Sequence, residues 1–398
     1  MNAGDTSIDR RGRARGALPI LSYGFRPFFL GASIYAAAAV PLWLWMLTAG
    51  VETAGAFTGA AWHAHEMIFG YLAAVMAGFV LTAVPNWTGR LPLSGRPLGV
   101  LFLLWVIGRI ACSTVSNPIA ALILDMLFLA ALSAAVWREV LAGKNWRNAP
   151  IALLLTLFAV ANLLHHLETI RPELEGSAVR LSLGVAAVLM ALVGGRVIPS
   201  FTRNWLVKQS HQRLPAPFGA FDKVALLAAA VGMIAWNVAP HNAASGGLLA
   251  MGGLLLAVRL MRWRGWRTLR EPIVLILHLG YLWLATALLM LGCSILEPEM
   301  MPQSAALHAL TAGAIGTMTL AVMTRASLAH TGHPIETDRF TLAIYLAVSA
   351  GALLRVAARL APAQYSALLV VGGALWSLAF GLFAVRYGPL LLRLNRSR

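Results

Sequence analysis

The sequence predicts an all-α membrane protein, a polytopic bundle of about twelve transmembrane helices. Of its 398 residues, 59% are hydrophobic and only 12% are charged, about half of the roughly 25% charged residues in soluble domains. About twelve apolar runs are each close to the length of about 20 residues that crosses a bilayer. The loops between them alternate between basic and acidic. The runs fill most of the chain, so residues 1–398 are predicted to form a single integral membrane domain.

The predicted helices follow one another with short connections. The first run is too long and too aromatic for a removable signal peptide, so we count it as helix one. The third and fourth runs are divided at 116–118, and the last two at 361–363. The predicted spans are 25–49, 65–86, 97–115, 117–137, 149–167, 179–200, 221–240, 245–262, 272–296, 303–325, 339–361 and 364–386.

The net charge of +16 is distributed unevenly along the chain. Most lysines and arginines lie in the basic tails 1–20 and 387–398 or in the loops after even-numbered helices, while the other loops carry glutamates. This is the positive-inside pattern of membrane proteins, and it predicts that both termini are cytoplasmic. The basic charge therefore indicates topology in a lipid bilayer rather than a nucleic-acid partner.

Five histidines are predicted to lie at the outer ends of three helices. His63 and His65 open helix two, His165 and His166 end helix five, and His308 opens helix ten. Ionisable side chains are costly in a membrane and often mark ligand sets, although interfacial residues with their tips in water are the simpler alternative. Bundles build cofactor sites from facing helices. Imidazole suits copper, zinc and iron, and haem iron takes one or two axial histidines.

The spacing of these histidines limits how they can act together. His63 and His65 diverge by about 200° on a regular helix, so either His63 precedes the helix or the two serve different partners. Glu66 shares a face with His63 and could orient its ring. His165 and His166 diverge by about 100°, so we expect only one of them to face the interior.

Other residue patterns exclude several kinds of site. There is no His-Glu-x-x-His motif of zinc proteases and no dinucleotide-binding glycine motif after a strand. Cys112 and Cys293 are too few for a disulfide framework or a cysteine metal site. Arg109 and Asp125 are predicted to pair between helices three and four, whereas Arg355 in helix eleven has no evident partner.

Three helices spaced by four show weak internal similarity. Helices two and six both end in an apolar-Pro-polar-aromatic-Thr pattern, at Pro85 and Pro199. Helices two and ten both carry a glycine five residues after a histidine, at Gly70 and Gly313. These features suggest three four-helix repeats, an architecture known among membrane proteins.

Several long segments resemble the NnrS family. They are GFRPFF at 24–29, WHAHEM at 62–67, VPNWTGRLP at 84–92, GRVIPSFTRNW at 195–205, HALT at 308–311, GTM at 316–318 and MTRAS at 323–327. The resemblance implies a twelve-span protein of a bacterial inner membrane that contains haem and copper and is linked to the nitric oxide response and denitrification. It also implies that the family keeps histidines at the positions of His63, His65, His166, His278, His308 and His330.

The residues and the resemblance together suggest ligand assignments. We expect His65 and His308 to bind a haem, non-covalent and b-type because no Cys-x-x-Cys-His motif is present. His63 and His166 are expected to bind copper or to serve a second haem position, with His278 and His330 as further metal candidates. Glu66 is the candidate catalytic residue, as a proton conduit. Haem–copper oxidases also draw haem ligands from the second and tenth of twelve helices, a fold-level analogy.

The predicted function is the binding or detoxification of nitric oxide during nitrosative stress. If the site is redox-active, the protein would be an oxidoreductase with a quinol or another carrier as its electron donor. The alternative is a transporter of a metal, haem or small solute, which twelve spans with internal repeats would also fit. A sensor or metal-handling partner without turnover is the third hypothesis.

Overall fold

The computed structural model describes residues 18–393, and all regular structure in that part of the chain is helical. Twelve of these helices are long and apolar enough to cross a membrane, which confirms the predicted fold class. The chain is thus a multi-pass membrane protein. Residues 1–17 and 394–398, which make up most of the two predicted basic tails, lie outside the described residues.

The twelve spans are separate helices, including those divided at 116–118 and at 361. They are α1 Phe25–Ala49, α2 Gly59–Pro85, α3 Arg96–Thr114, α4 Pro118–Ala142, α5 Trp146–Glu168, α6 Ser177–Lys208, α7 Ala220–Val238, α8 Ala243–Met261, α9 Pro272–Leu296, α10 Gln303–His330, α11 Arg339–Leu360 and α12 Pro362–Leu392.

Helices α2, α6 and α10 occupy the centre of the bundle. Consecutive helices pack against each other around them, and α12 packs back against α1. All three central helices line one cavity, and α2 and α10 are the most deeply buried spans. The three helices whose similarity suggested internal repeats, α2, α6 and α10, are therefore the same three that lie at the centre of the bundle.

Both α2 and α10 change from α-helix to π-helix directly after a histidine. The π segments are Glu66–Leu72, after His65, and Ala309–Ile315, after His308. In each segment a tryptophan ring nitrogen donates to a backbone carbonyl: Trp105 Nε1 to Gly70 O at 2.9 Å and Trp376 Nε1 to Ala312 O at 3.2 Å. Such π segments are rare and occur frequently at functional sites.

Two helices differ from the predicted spans in an informative way. Helix α2 begins at Gly59, six residues before the predicted start at 65, so His63 lies within the helix. Helix α6 continues through Pro199 to Lys208, beyond the predicted end at 200. Pro85 is likewise inside a helical segment. Membrane helices tolerate proline because neighbouring groups satisfy the freed carbonyl.

Candidate metal centre and histidine cavity

Four buried side chains from four consecutive helices meet at one point. His65 of α2, Cys112 of α3, Asp125 of α4 and His166 of α5 each present a ligand atom, and these atoms all lie within 4.8 Å of one another. We call this set the metal cluster. Bundle proteins commonly build metal sites in this way, from side chains on facing helices.

The imidazole of His65 is surrounded by oxygen atoms. Its Nδ1 lies 2.8 Å from Glu66 Oε1, and its Nε2 lies 3.0 Å from Asn162 Oδ1 and 3.2 Å from Asp125 Oδ2. The Asp125 Oδ2 atom also accepts from Asn162 Nδ2 at 2.7 Å and lies 3.1 Å from His166 Nε2. Asp125 therefore links the two histidines of the cluster.

The charges around the cluster favour a bound cation. The Arg109 guanidinium donates to Glu66 Oε2 at 2.7 Å and also to Asp125, while Tyr35 donates to Glu66. Two carboxylates against one guanidinium leave one unit of negative charge in a buried site. Because buried charge is costly unless it is compensated, a protonated His65 ring or a metal ion would stabilise this site.

Two glycines allow these groups to approach. A Cβ atom at Gly108 would lie 2.6 Å from Asp125 Oδ1, and one at Gly70 would lie 2.9 Å from the Arg109 NH1 atom. Any side chain at either position would displace the carboxylate or the guanidinium. Gly108 on α3 and Gly70 on α2 therefore leave room for the ion pairs that Arg109 forms with neighbouring helices.

The donor set of the metal cluster fits copper. Thiolate and imidazole are soft or intermediate ligands that suit copper and zinc. Cys112 was not among the predicted ligands, because two cysteines are too few for a cysteine-based site, whereas a mixed site needs only one. The available signal was that Cys112 lies three residues after Arg109, on the same face of a membrane helix.

A second group of polar side chains lines a cavity on the other side of α2. This histidine cavity is lined by His63, His308 and Arg355 and has a volume of about 180 Å³. Its walls are formed by α1, α2, α6, α10, α11 and α12. His308 Nδ1 donates to the backbone carbonyl of Ser304 at 2.6 Å, so its Nε2 keeps a free lone pair. The ring of His63 stacks on Trp43 with centroids 5.0 Å apart.

Two groups that line the histidine cavity have unmet hydrogen-bonding capacity. Within residues 18–393, His63 Nδ1 and one terminal nitrogen of Arg355, NH1, are buried and have no hydrogen-bond partner. Buried polar atoms are usually satisfied, so each exception calls for an explanation. A bound group with an acceptor for Arg355 would supply one.

The structure pairs the predicted histidines differently from the sequence-based assignment. His65 lies with His166 in the metal cluster, and His63 shares the histidine cavity with His308. The cause is the helical start of α2, which directs side chains two residues apart to different sides. The Glu66 carboxylate accordingly faces His65 rather than His63.

The remaining histidines have other surroundings. Both His165 and His166 are buried, so the expectation that only one faces the interior is wrong; His165 Nε2 reaches Ala61 O at 3.2 Å. His278 Nε2 lies 2.8 Å from Thr202 Oγ1. The ring of His330, which ends α10, contacts Phe25 with centroids 5.4 Å apart. Neither His278 nor His330 belongs to the metal cluster or lines the histidine cavity.

The chain matches a known protein family over nearly its whole length. The sequence profile of a family described as NnrS protein matches residues 19–394, nearly the whole chain. No curated protein matches the chain. The profile match spans all twelve helices, and therefore both the metal cluster and the histidine cavity.

Proposed function

Because the chain belongs to the NnrS family, we propose that it is a haem–copper protein that binds nitric oxide in the nitrosative-stress response and in denitrification. We place it in a bacterial inner membrane with both termini cytoplasmic, as its charge bias predicts. The observation that carries the proposal is that His63 and His308, from the two π-containing helices, line one cavity with Arg355, whose NH1 has no partner among residues 18–393.

The groups that line the histidine cavity fit a haem. His308 has the arrangement typical of a metal ligand, since its Nδ1 is fixed by the Ser304 carbonyl and its Nε2 is free. Arg355 would pair with a propionate carboxylate. At about 180 Å³ the cavity is smaller than the roughly 300 Å³ at which small-molecule sites begin, so haem binding requires its walls to part.

The two histidines are not equivalent as ligands. A hydrogen bond to the second ring nitrogen raises the basicity of a ligating histidine; His308 has one, whereas His63 Nδ1 has none within the described chain. His308 would therefore be the stronger ligand of a bound haem, and His63 would be the weaker ligand, which nitric oxide would replace. Haem supplies an iron that binds diatomic ligands and exchanges electrons.

The metal cluster would hold copper through His65, Cys112 and His166. Asp125 keeps both imidazoles in place, and Arg109 holds the Asp125 and Glu66 carboxylates. Glu66 Oε2 accepts from the Tyr35 hydroxyl, so a proton can pass between these two oxygens. That contact supports the predicted role of Glu66 as a proton conduit at this site.

An optical and elemental analysis of the purified protein tests the proposal. Iron and copper are measured beside spectra of the oxidised, the reduced and the reduced protein with nitric oxide. We expect a haem spectrum that shifts with nitric oxide, together with bound copper. Protein purified without iron and copper, and colourless after haem supplementation, would refute the proposal.

One observation favours transport as a second candidate. The histidine cavity and a larger cavity approach each other from opposite ends of α2 and α10, and Leu72 and Ile315 line both. Two cavities that meet near the middle of a membrane suit alternating access. Metal- or haem-dependent flux into vesicles by colourless protein would favour this function over nitric oxide binding.

A further inference from the structure

A second cavity, with a volume of about 460 Å³, lies between α2, α6 and α10. Neither the proposed haem nor the proposed copper uses it. Its walls are mostly apolar, while Arg196, Arg325 and His330 line it near the end at which α10 finishes. We call it the arginine cavity. Its volume is in the range of sites that bind small molecules, about 300–1,000 Å³.

The arginine cavity directly adjoins the histidine cavity. Leu72 and Ile315 line both, and they are the last residues of the two π segments. A molecule that fills the arginine cavity is therefore separated from an occupant of the histidine cavity by the side chains of Leu72 and Ile315. At so short a separation the two occupants could exchange electrons without a further carrier.

The polar groups of the arginine cavity select for a ligand with oxygen acceptors. Guanidinium groups are donors only, and two of them line this end. The Arg325 guanidinium lies 3.6 Å from the centroid of the Phe201 ring, which gives the site a flat, cationic and aromatic wall. The charge bias of the loops places this end at the cytoplasmic headgroups. An amphiphile from the inner leaflet, with an acceptor-bearing head and an apolar body, matches these properties.

We propose that the arginine cavity binds a membrane quinol that donates electrons to the haem of the histidine cavity. This inference rests on the proposed function. An acidic lipid offers the same acceptors, but it has no redox-active group, so it would make no use of the adjoining histidine cavity. Oxidation of one quinol to the quinone would release two protons, which would leave at the arginine end, and two electrons, which would reduce two equivalents of ferric haem to ferrous haem.

Binding of decylubiquinone to the purified full-length protein tests the site directly. Arg325→Gln removes a charged donor, and we expect about tenfold weaker binding, because a hydrogen bond to a charged group contributes about 1.5–3 kcal/mol. Ala326→Phe fills the cavity and should abolish binding. The matched controls are Arg203→Gln on α6 and Ala130→Phe on α4. Both residues are exposed and line neither cavity, so both variants should bind like the wild type.

A second measurement separates this inference from the proposed function. Decylubiquinol should reduce the haem more slowly in Ala326→Phe than in the wild type, while dithionite reduces both equally. Protein that binds the quinone but contains no haem would refute the proposed function and leave the binding site standing. Failure of decylubiquinone to bind would overturn the inference. If the wild type binds oleate but not decylubiquinone, and Ala326→Phe loses oleate binding, the cavity is an acidic-lipid site and the inference is overturned.

Discussion

The Arg109 guanidinium on α3 donates to the Asp125 carboxylate on α4, and less than a tenth of either side chain is exposed. The same guanidinium binds Glu66 on α2, so one cation joins three helices beside the metal cluster. Because this ion pair is buried, its stability depends on direct contacts between the guanidinium and both carboxylates. Removing one partner leaves an uncompensated charge in a site that water does not reach.

Replacing Arg109 should therefore destabilise the protein. We expect Arg109→Leu to lower the free energy of unfolding by about 3–5 kcal/mol, the usual cost of breaking a buried pair. Unfolding in detergent, followed by circular dichroism, measures it. Arg90→Leu is the control, because Arg90 pairs with Glu139 but is 45% exposed, and exposed pairs contribute about 0–1 kcal/mol. Equal losses in the two variants would contradict the assignment.

Cys112 should be required for copper but not for haem. Cys112→Ser removes the thiolate from the metal cluster, and we expect at least about tenfold weaker copper binding, since even outer-shell changes cost 10–100-fold. Copper content after dialysis against a chelator measures this, with the haem spectrum as an internal reference. Cys293→Ser is the matched control, since Cys293 lies outside the cluster. Copper retained in Cys112→Ser would exclude the thiolate as a ligand.

His63 and His308 should respond differently to substitution. His308→Ala is expected to lose the haem, because it removes the ligand whose Nδ1 is anchored to Ser304. His63→Ala should retain the haem and bind nitric oxide faster, because the displaceable ligand is gone. Haem content and stopped-flow spectra measure the two effects. His211→Ala, in an exposed loop, is the control. The reverse order of the two effects would contradict the roles assigned to them.

The apolar runs were sufficient to predict the helices, and the alternating direction of the helices was sufficient to bring the five histidines to one end of the bundle. The Arg109–Asp125 pair was also predictable, because antiparallel neighbours bring such residues to one depth. The pairing of His63 with His308 was not. It depends on where α2 begins and on which side each residue faces, and spans read from hydropathy do not contain that information. Cys112 was missed because two cysteines are too few for a cysteine-based site, and only packing brings its thiol beside His65.

The charge of Arg355 should control the redox potential of a haem in the histidine cavity. A nearby cation stabilises the electron-rich reduced state, so Arg355→Gln should lower the midpoint potential. We expect a shift of roughly 60 mV, which is tenfold in a one-electron equilibrium.

Potentiometric titration of the haem spectrum measures that shift. Arg359→Gln is the matched control, because Arg359 lies four residues further along α11 and is exposed. Its guanidinium carbon lies 4.7 Å from the centroid of the Tyr365 ring. Both variants lose one positive charge, so a purely long-range effect would shift their potentials equally. Only a direct pairing of Arg355 with a propionate predicts a larger shift for Arg355→Gln together with weaker haem retention. Equal shifts with haem fully retained would place the propionates away from Arg355.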